Sequence, residues 1–263
     1  MKSYQHLDIE YADHVRVVTL NRAKRRNALD FELLTELEQC AHELRNDTDT
    51  RVVIFTGAGK HFSSGADLGY LRSVHQMPMI EKRRQVRLGE RVFHALLEIE
   101  QITICAWNGA ALGGAACIAT ALDLRIGAED CYVQYPEIDL GMNLMWQCLP
   151  RTTRLVGESR AIRLAIGGEK VSAPTMLAWG MLEAVVPGDE LLDHAHKMAA
   201  HYASKPPVAA QMIKRSINAT GSKLDRAMMH ADSDQHLLAS LMEDHTTALT
   251  AYRDQRVGEF CGE

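Results

Sequence analysis

The feature that most limits the fold is an uncharged run from Gln101 to Leu122, QITICAWNGAALGGAACIATAL. Such a run has to be buried, either in a bilayer or in a protein core. Its length permits a membrane span, and Gly109 and Gly113 stand in GxxxG spacing. Asn108-Gly109 is a turn signal, however, and Gly113-Gly114 weakens a helix. The run therefore reads as a buried strand (Ile102 to Trp107), a turn, and a buried helix from Leu112 that ends near Leu122.

The same alternation extends along the chain. Val15 to Leu20 and Arg51 to Thr56 are short and rich in β-branched residues, which predicts strands. Apolar residues at helical spacing predict a helix over Phe31 to Leu44, with Asp30 as its N-cap. A longer helix is expected over Ile80 to Ile99, and short strands at Leu124 to Gly127, Tyr132 to Gln134 and Glu183 to Val186. Beyond Leu149 the pattern turns helical: Pro150 to Val156, Glu158 to Ile166, Ala173 to Trp179, Glu190 to Ala203, Val208 to Ala219 and a last helix over Lys223 to Arg253. Ser204-Lys205-Pro206-Pro207 is the clearest break, because proline stops one helix and can start another. The chain divides near residue 200, into an α/β part (1–200) and a helical part (201–263).

A length of 263 residues with 46% hydrophobic and 24% charged residues suits one large domain, or one with an appendage. The formal charge of −5 argues against general nucleic-acid binding, which needs a basic footprint, yet leaves room for a local basic patch on a phosphorylated ligand. The first residues carry no apolar signal core and are not Arg-rich, so no cleaved leader is expected. Six scattered cysteines without a CxxC pair point to free thiols and a reducing, cytoplasmic setting.

Several chemical motifs fail on inspection. Gly57-Ala58-Gly59-Lys60 lacks the upstream glycine and the following Ser/Thr of a phosphate loop. The dinucleotide pattern fails at Phe62, and a serine-hydrolase elbow fails at His61. His194 and His196 point to different faces of a predicted helix, and no metal site is expected.

Three features remain. Ser63-Ser64-Gly65-Ala66-Asp67-Leu68 follows a strand, and its small residues allow backbone N–H groups to converge on an anionic oxygen. A plain capped turn would look the same. Asn108 to Ala115 also leads from a buried strand into an apolar helix, whose start offers unpaired N–H groups; close helix packing is its simpler explanation. Tyr135-Pro136-Glu137-Ile138-Asp139-Leu140-Gly141 places a carboxylate in an apolar stretch, beside Met142, Leu144, Met145 and Trp146. Such neighbours raise a carboxyl pKa and suit it to proton transfer. The alternative is a surface acid near a turn.

Taken together and in this order, the three resemble the crotonase (enoyl-CoA hydratase/isomerase) family. Leu20 to Leu29, LNRAKRRNAL, is similar to its LNRPxxxNAL segment, and Phe62 to Leu68 to its FxxGAD[IL] loop. Trp107 to Gly114 is similar to its NGxxxGGG loop, Asp123 to the acid after the following helix, and Pro136-Glu137 to its PExxLG turn. Lys205-Pro206-Pro207 and the later helices fit its C-terminal part.

The resemblance implies a spiral of repeated ββα units with a C-terminal helical oligomerisation region, and trimers or pairs of trimers. It implies an acyl-CoA substrate whose thioester oxygen lies between the N–H groups of Ala66 and Gly114, with no cofactor beyond the coenzyme A moiety. Ala66, Asp67 and Leu68 would line the adenine and pantetheine path, and Gly69, Gly113 and Gly114 would also contact the substrate. Lys24, Arg25 and Ala28, in the loop Arg22 to Arg26 and just after it, would lie beside the coenzyme A phosphates, although exposed basic residues can equally be a solvated patch. Glu137 would move the proton.

One departure bears on the reaction. Hydratases of the family carry a second Glu three residues after the glycine matching Gly114; here that position is Cys117. With Met142 and Trp146, Cys117 is expected to line a reshaped acyl pocket. Hydration of a 2-enoyl-CoA, a branched one included, by a single Glu is the first expectation. Isomerisation of a 3-enoyl-CoA to a 2-enoyl-CoA is the alternative, and a non-catalytic acyl-CoA-binding protein is the alternative of another class.

Overall fold

The structure, a computed structural model, describes residues 3–222 and 224–262. Its frame is a six-stranded sheet in the order β1-β2-β3-β4-β6-β9. The strands are β1 (Leu7–Ala12), β2 (Val15–Leu20), β3 (Val52–Gly57), β4 (Ile102–Trp107), β6 (Leu124–Ala128) and β9 (Ala184–Val186). β1 and β2 form an antiparallel hairpin, and every later neighbour in this sheet is parallel. All six residues of β3 are buried, as a central parallel strand covered on both faces requires.

A second, three-stranded sheet joins β5 (Ala110–Leu112), β7 (Tyr132–Gln134) and β8 (Val171–Ser172). From β4 to β7, consecutive strands alternate between the two sheets. β4 leads to β5 and then to α4 (Gly114–Ala121), and β6 leads to β7 and on towards α5 (Leu149–Val156). Ahead of them, β3 leads to Ser63, which bridges Ala111 at the edge of the small sheet, and then to α2 (Leu68–His75) and α3 (Met79–Leu97). Each turn thus gives one strand to the large sheet, one strand or bridge to the small sheet, and then a helix. This is the expected ββα spiral.

Packing follows the sequence pattern. Asp30 caps α1 (Phe31–Arg45), accepting from Leu33 N at 2.9 Å, and α1 buries Leu33, Leu34, Leu37, Cys40, Ala41 and Leu44. α1 packs on α3, and α3 on α4. α6 (Glu158–Ala165) and α7 (Ala173–Ala178) follow α5, and α8 (Leu191–Ala203) lies across β3, β4 and β6. The uncharged run became β4, β5 and α4 within the core, and among the described residues no helix is long and apolar enough to cross a membrane.

After the break at 204–206 come α9 (Pro207–Ser222), α10 (Asp225–Met229), α11 (Asp232–Ala239) and α12 (Glu243–Arg253). Lys214 fastens α9: its Nζ donates to Gln101 O and pairs with Asp123 Oδ2, each at 2.6 Å. Asp123 also accepts from Thr103 N and Oγ1, which anchors the start of β6 to β4.

Several expectations need correction. The division near residue 200 falls inside α8, which belongs to the sheet packing. The helix expected over 112–122 begins only at Gly114, because Ala110–Leu112 pairs with β7. The single helix expected over 223–253 is three; its first residue lies outside the described residues. Met242 is extended (φ −77°, ψ 153°), which lets α11 pack on α3 while α12 turns to the segment 138–140. β1, β8 and α2 were not anticipated. α2 follows its loop without a spacer, started by Asp67, whose carboxylate accepts from Gly69 N and Tyr70 N.

Candidate active site

Two asparagines brace the loops at the C-terminal ends of β3 and β4. Asn27, buried and left-handed (φ 54°), donates through Nδ2 to Ala58 O at 3.0 Å and His61 O at 2.8 Å. Its own C=O accepts from Ser63 Oγ at 2.7 Å. Asn108 donates to Gly57 O at 2.6 Å and Gly59 O at 2.9 Å, and accepts from Gly57 N at 3.0 Å. The 63–68 loop is then stitched to β5: Ser63 N donates to Ala110 O, and Leu112 N to Ser63 O. Gly65 has φ 78°, and a methyl group there would lie 2.5 Å from Leu112 O, so the approach needs glycine.

Among the described residues, each of the two loops leaves one backbone N–H without a partner in the fold. Leu29 N donates to Gly65 O and Asp67 N to Leu29 O. Ala66, between them, bridges Leu29 in parallel fashion and turns its own N–H away from that partner. Gly114 is the first residue of α4, and the first bond of that helix runs from Cys117 N to Gly113 O. Its N–H is one of the helix-start donors that have no partner within the helix. Partial positive charge collects at such an end.

Glu137 stands opposite. It precedes a one-turn 3-10 segment, Ile138–Leu140, and its C=O accepts from Leu140 N and Met142 N. Its carboxylate lies directly on Gly113, so that a methyl group at that glycine would overlap Oε1 and sit 3.1 Å from Cδ. Oε2 is buried without a hydrogen-bond partner among the described residues. Burial pushes the carboxyl from 4.5 up to about 7. Near neutrality it exchanges its proton readily in either direction. Asp139 is also raised by burial, but remains partly exposed.

Cys117, one turn into α4, is buried and faces Cys148 with 3.0 Å between the sulfurs. Burial, then the neighbouring thiol, pushes it well above the ordinary thiol value, so it is a neutral, apolar-like wall. Met142 is partly buried, and Trp146 is 6% exposed. The Trp146 indole lies on Gly114: a methyl group there would sit 2.5 Å from Cη2 and 2.8 Å from Cζ3. On its other side it fills the place of a side chain at Gly89 of α3.

Sequence reasoning missed what holds this indole. Trp146 and Gln147 are both left-handed, with φ 72° and 57°. Gln147 N donates to Asp232 Oδ2 of α11 at 2.6 Å, its Nε2 donates to Glu90 Oε1 at 2.8 Å, and its Oε1 accepts from His94 Nε2 at 2.8 Å. His245 of α12 donates from Nδ1 to Leu140 O at 2.6 Å. No local motif announces contacts between residues so far apart in sequence.

The basic loop is divided. Arg22 is occupied, pairing with Asp30 at 2.6 Å and Asp67 at 3.6 Å and donating to Ala28 O. Lys24 and Arg25 are exposed in a 3-10 turn, Ala28 is buried below them, and Leu68 and Gly69 open α2 beside the capping Asp67.

Residues 10–263 match the family described as enoyl-CoA hydratase/isomerase. The chain belongs to that family of enzymes. It is 34% identical over 94% of each chain to a short-chain-enoyl-CoA hydratase of Clostridium acetobutylicum. To a crotonyl-CoA hydratase of Syntrophomonas wolfei it is 30% identical over 98% of each. A 1,2-epoxyphenylacetyl-CoA isomerase of Escherichia coli is 29% identical over 95% of each. Among solved structures, an enoyl-CoA hydratase of Bacillus anthracis superposes with a TM-score of 0.78 at 31% identity, covering 98% of this chain and all (100%) of that one. The crotonase-type spiral that the resemblance implies is therefore the fold of its relatives.

Proposed function

We propose that this enzyme hydrates a 2-enoyl-CoA, using Glu137 as its single acid–base group. The observation that carries this reading is the isolated Glu137 carboxyl, buried on Gly113 next to the N-terminus of α4 and raised to about 7. In the reaction, ionised Glu137 takes a proton from water while the water oxygen bonds to the β-carbon. Electrons move onto the thioester oxygen, which the Ala66 and Gly114 N–H groups receive. The protonated Glu137 then returns its proton to the α-carbon, and the oxygen's charge reverts to the carbonyl. One water is consumed and the side chain ends ionised as it began. Each oxyanion donor contributes about 3 kcal/mol to such a transition state.

No cofactor beyond the coenzyme A moiety takes part. Lys24 and Arg25 offer free positive charge for its phosphates, and Leu68 and Gly69 an edge for its pantetheine arm. The names of the Clostridium and Syntrophomonas relatives agree with hydration.

Isomerisation of a 3-enoyl-CoA is the second reading, favoured by one observation: a neutral Cys117 thiol stands where a second carboxylate would help hold water. Glu137 would then carry one proton from the α-carbon to the γ-carbon. Incubation in heavy-oxygen water separates the readings. Label in the product supports hydration; a shifted double bond without label supports isomerisation; binding of a broad acyl-CoA panel without turnover means a non-catalytic binder.

Assembly as a homotrimer or hexamer is part of the same reading. Its support is the exposed apolar surface of the C-terminal helices, with Met212, Ile213 and Ile217 on α9 and Leu238 and Leu241 at α11 and just beyond. Sedimentation measures it directly. Six unpaired cysteines support a reducing, cytoplasmic setting.

A further inference from the structure

We infer that Trp146 is the depth stop of the acyl pocket, limiting the enzyme to short acyl chains, and that Gln147 is the positioning residue that holds it there. The inference rests on the acyl-CoA reading above.

Adjacent residues fix the geometry. The Glu137 carboxylate lies on Gly113, and the six-membered ring of Trp146 lies on Gly114, the next residue. Neighbouring Cα atoms are about 3.8 Å apart. A substrate whose α- and β-carbons are within proton-transfer reach of Glu137 therefore meets the indole edge within one or two further carbons.

The indole has no room to retreat, because its opposite edge fills the side-chain space of Gly89 in the middle of α3. Both glycines are buried or nearly so, and together they form a slot that an aromatic ring enters. Cys117, one turn after Gly114, is also buried.

The backbone is held in an unfavourable conformation to achieve this. Two successive non-glycine residues in the left-handed region are uncommon, and bulky ones more so. They persist where the surroundings over-determine them. Here three hydrogen bonds of Gln147 do so: it donates to Asp232 on α11 and to Glu90 on α3, and accepts from His94 on α3. Packing alone would not call for a polar clamp reaching across the molecule from both sides of one residue.

The test compares chain lengths in the full-length enzyme. Turnover of crotonyl-CoA and 2-dodecenoyl-CoA gives kcat/KM, and calorimetry with the unreactive butyryl-CoA and dodecanoyl-CoA gives Kd. The wild type is expected to favour the short compound by at least about tenfold in both measures. Trp146→Gly, which glycine tolerates at this φ, is expected to raise the long-to-short ratio at least about tenfold. Gln147→Ala is expected to move the ratio in the same direction, whereas a merely structural role would depress both lengths together. Equal use of both lengths by the wild type overturns the inference. So does an unchanged ratio in folded Trp146→Gly, or, should that variant not fold, in Trp146→Leu. Failure of the wild type to bind either saturated ester overturns the acyl-CoA reading and this inference with it.

Discussion

Replacing Glu137 by Gln separates a catalytic acid–base group from a merely buried one. In the folded chain the carboxyl is raised from 4.5 to about 7 by burial. The folded state therefore holds the proton more tightly than the unfolded state. The sign follows: below pH 4.5 the group is neutral in both states and costs nothing. As pH climbs to about 7 the unfolded chain ionises first, and folding stability falls. Above that pH the loss is complete, at about 3 kcal/mol. Glutamine keeps the neutral shape and cannot ionise. Glu137→Gln should thus match the wild type at pH 4 and exceed it by about 3 kcal/mol at pH 8 in urea unfolding, since the other titrating groups are common to both proteins. Over the same range kcat/KM of the wild type should rise to a plateau above about pH 7 as the base form fills. The variant should lose activity by about a hundredfold to ten-thousandfold. An equal pH dependence of stability in the two proteins would refute the assigned burial, and near-normal turnover in the variant would refute the assigned role.

Gly113→Ala pushes a methyl group into Glu137 Oε1, at a backbone φ of 50°; kcat/KM should fall about a hundredfold, while binding of a saturated acyl-CoA weakens less. Lys214→Met removes the partner of Asp123 and the bond to Gln101 O, and should cost about 3 kcal/mol in urea unfolding; adding Asp123→Asn should recover part of that loss, and strict additivity of the two losses would deny the pairing.

The alternation of strands and helices was legible where local signals and burial agreed, and the spiral came from the family resemblance. The uncharged stretch around Asn108-Gly109 shows its buried strand, turn and helix, though not the short strand 110–112 between them, and the β-branched segments 15–20 and 51–56 flank a helix with its own N-cap. Glu137 stood out because a carboxylate among apolar residues is unusual. The two small-residue loops were visible only as turns until the family resemblance joined them, because backbone N–H groups have no sequence signature. Sequence reading lost the details that depend on distant partners. The indole slot needs Gly89 from one helix and Gly114 from another, and Gln147 is held by α3 and α11 at once. The last helices were merged because their composition stays helical; the break at Met242 answers to what each half packs against.

The C-terminal helices fasten structures made long before them. Lys214 reaches back 113 positions to Gln101, His245 reaches back 105 to Leu140, and Asp232 reaches back 85 to Gln147. During synthesis, then, the sheet and both small-residue loops can form while the segment carrying Trp146 still lacks its anchors. The nascent protein should therefore hold a loose, unselective floor beside its catalytic groups until the last helices emerge and set it.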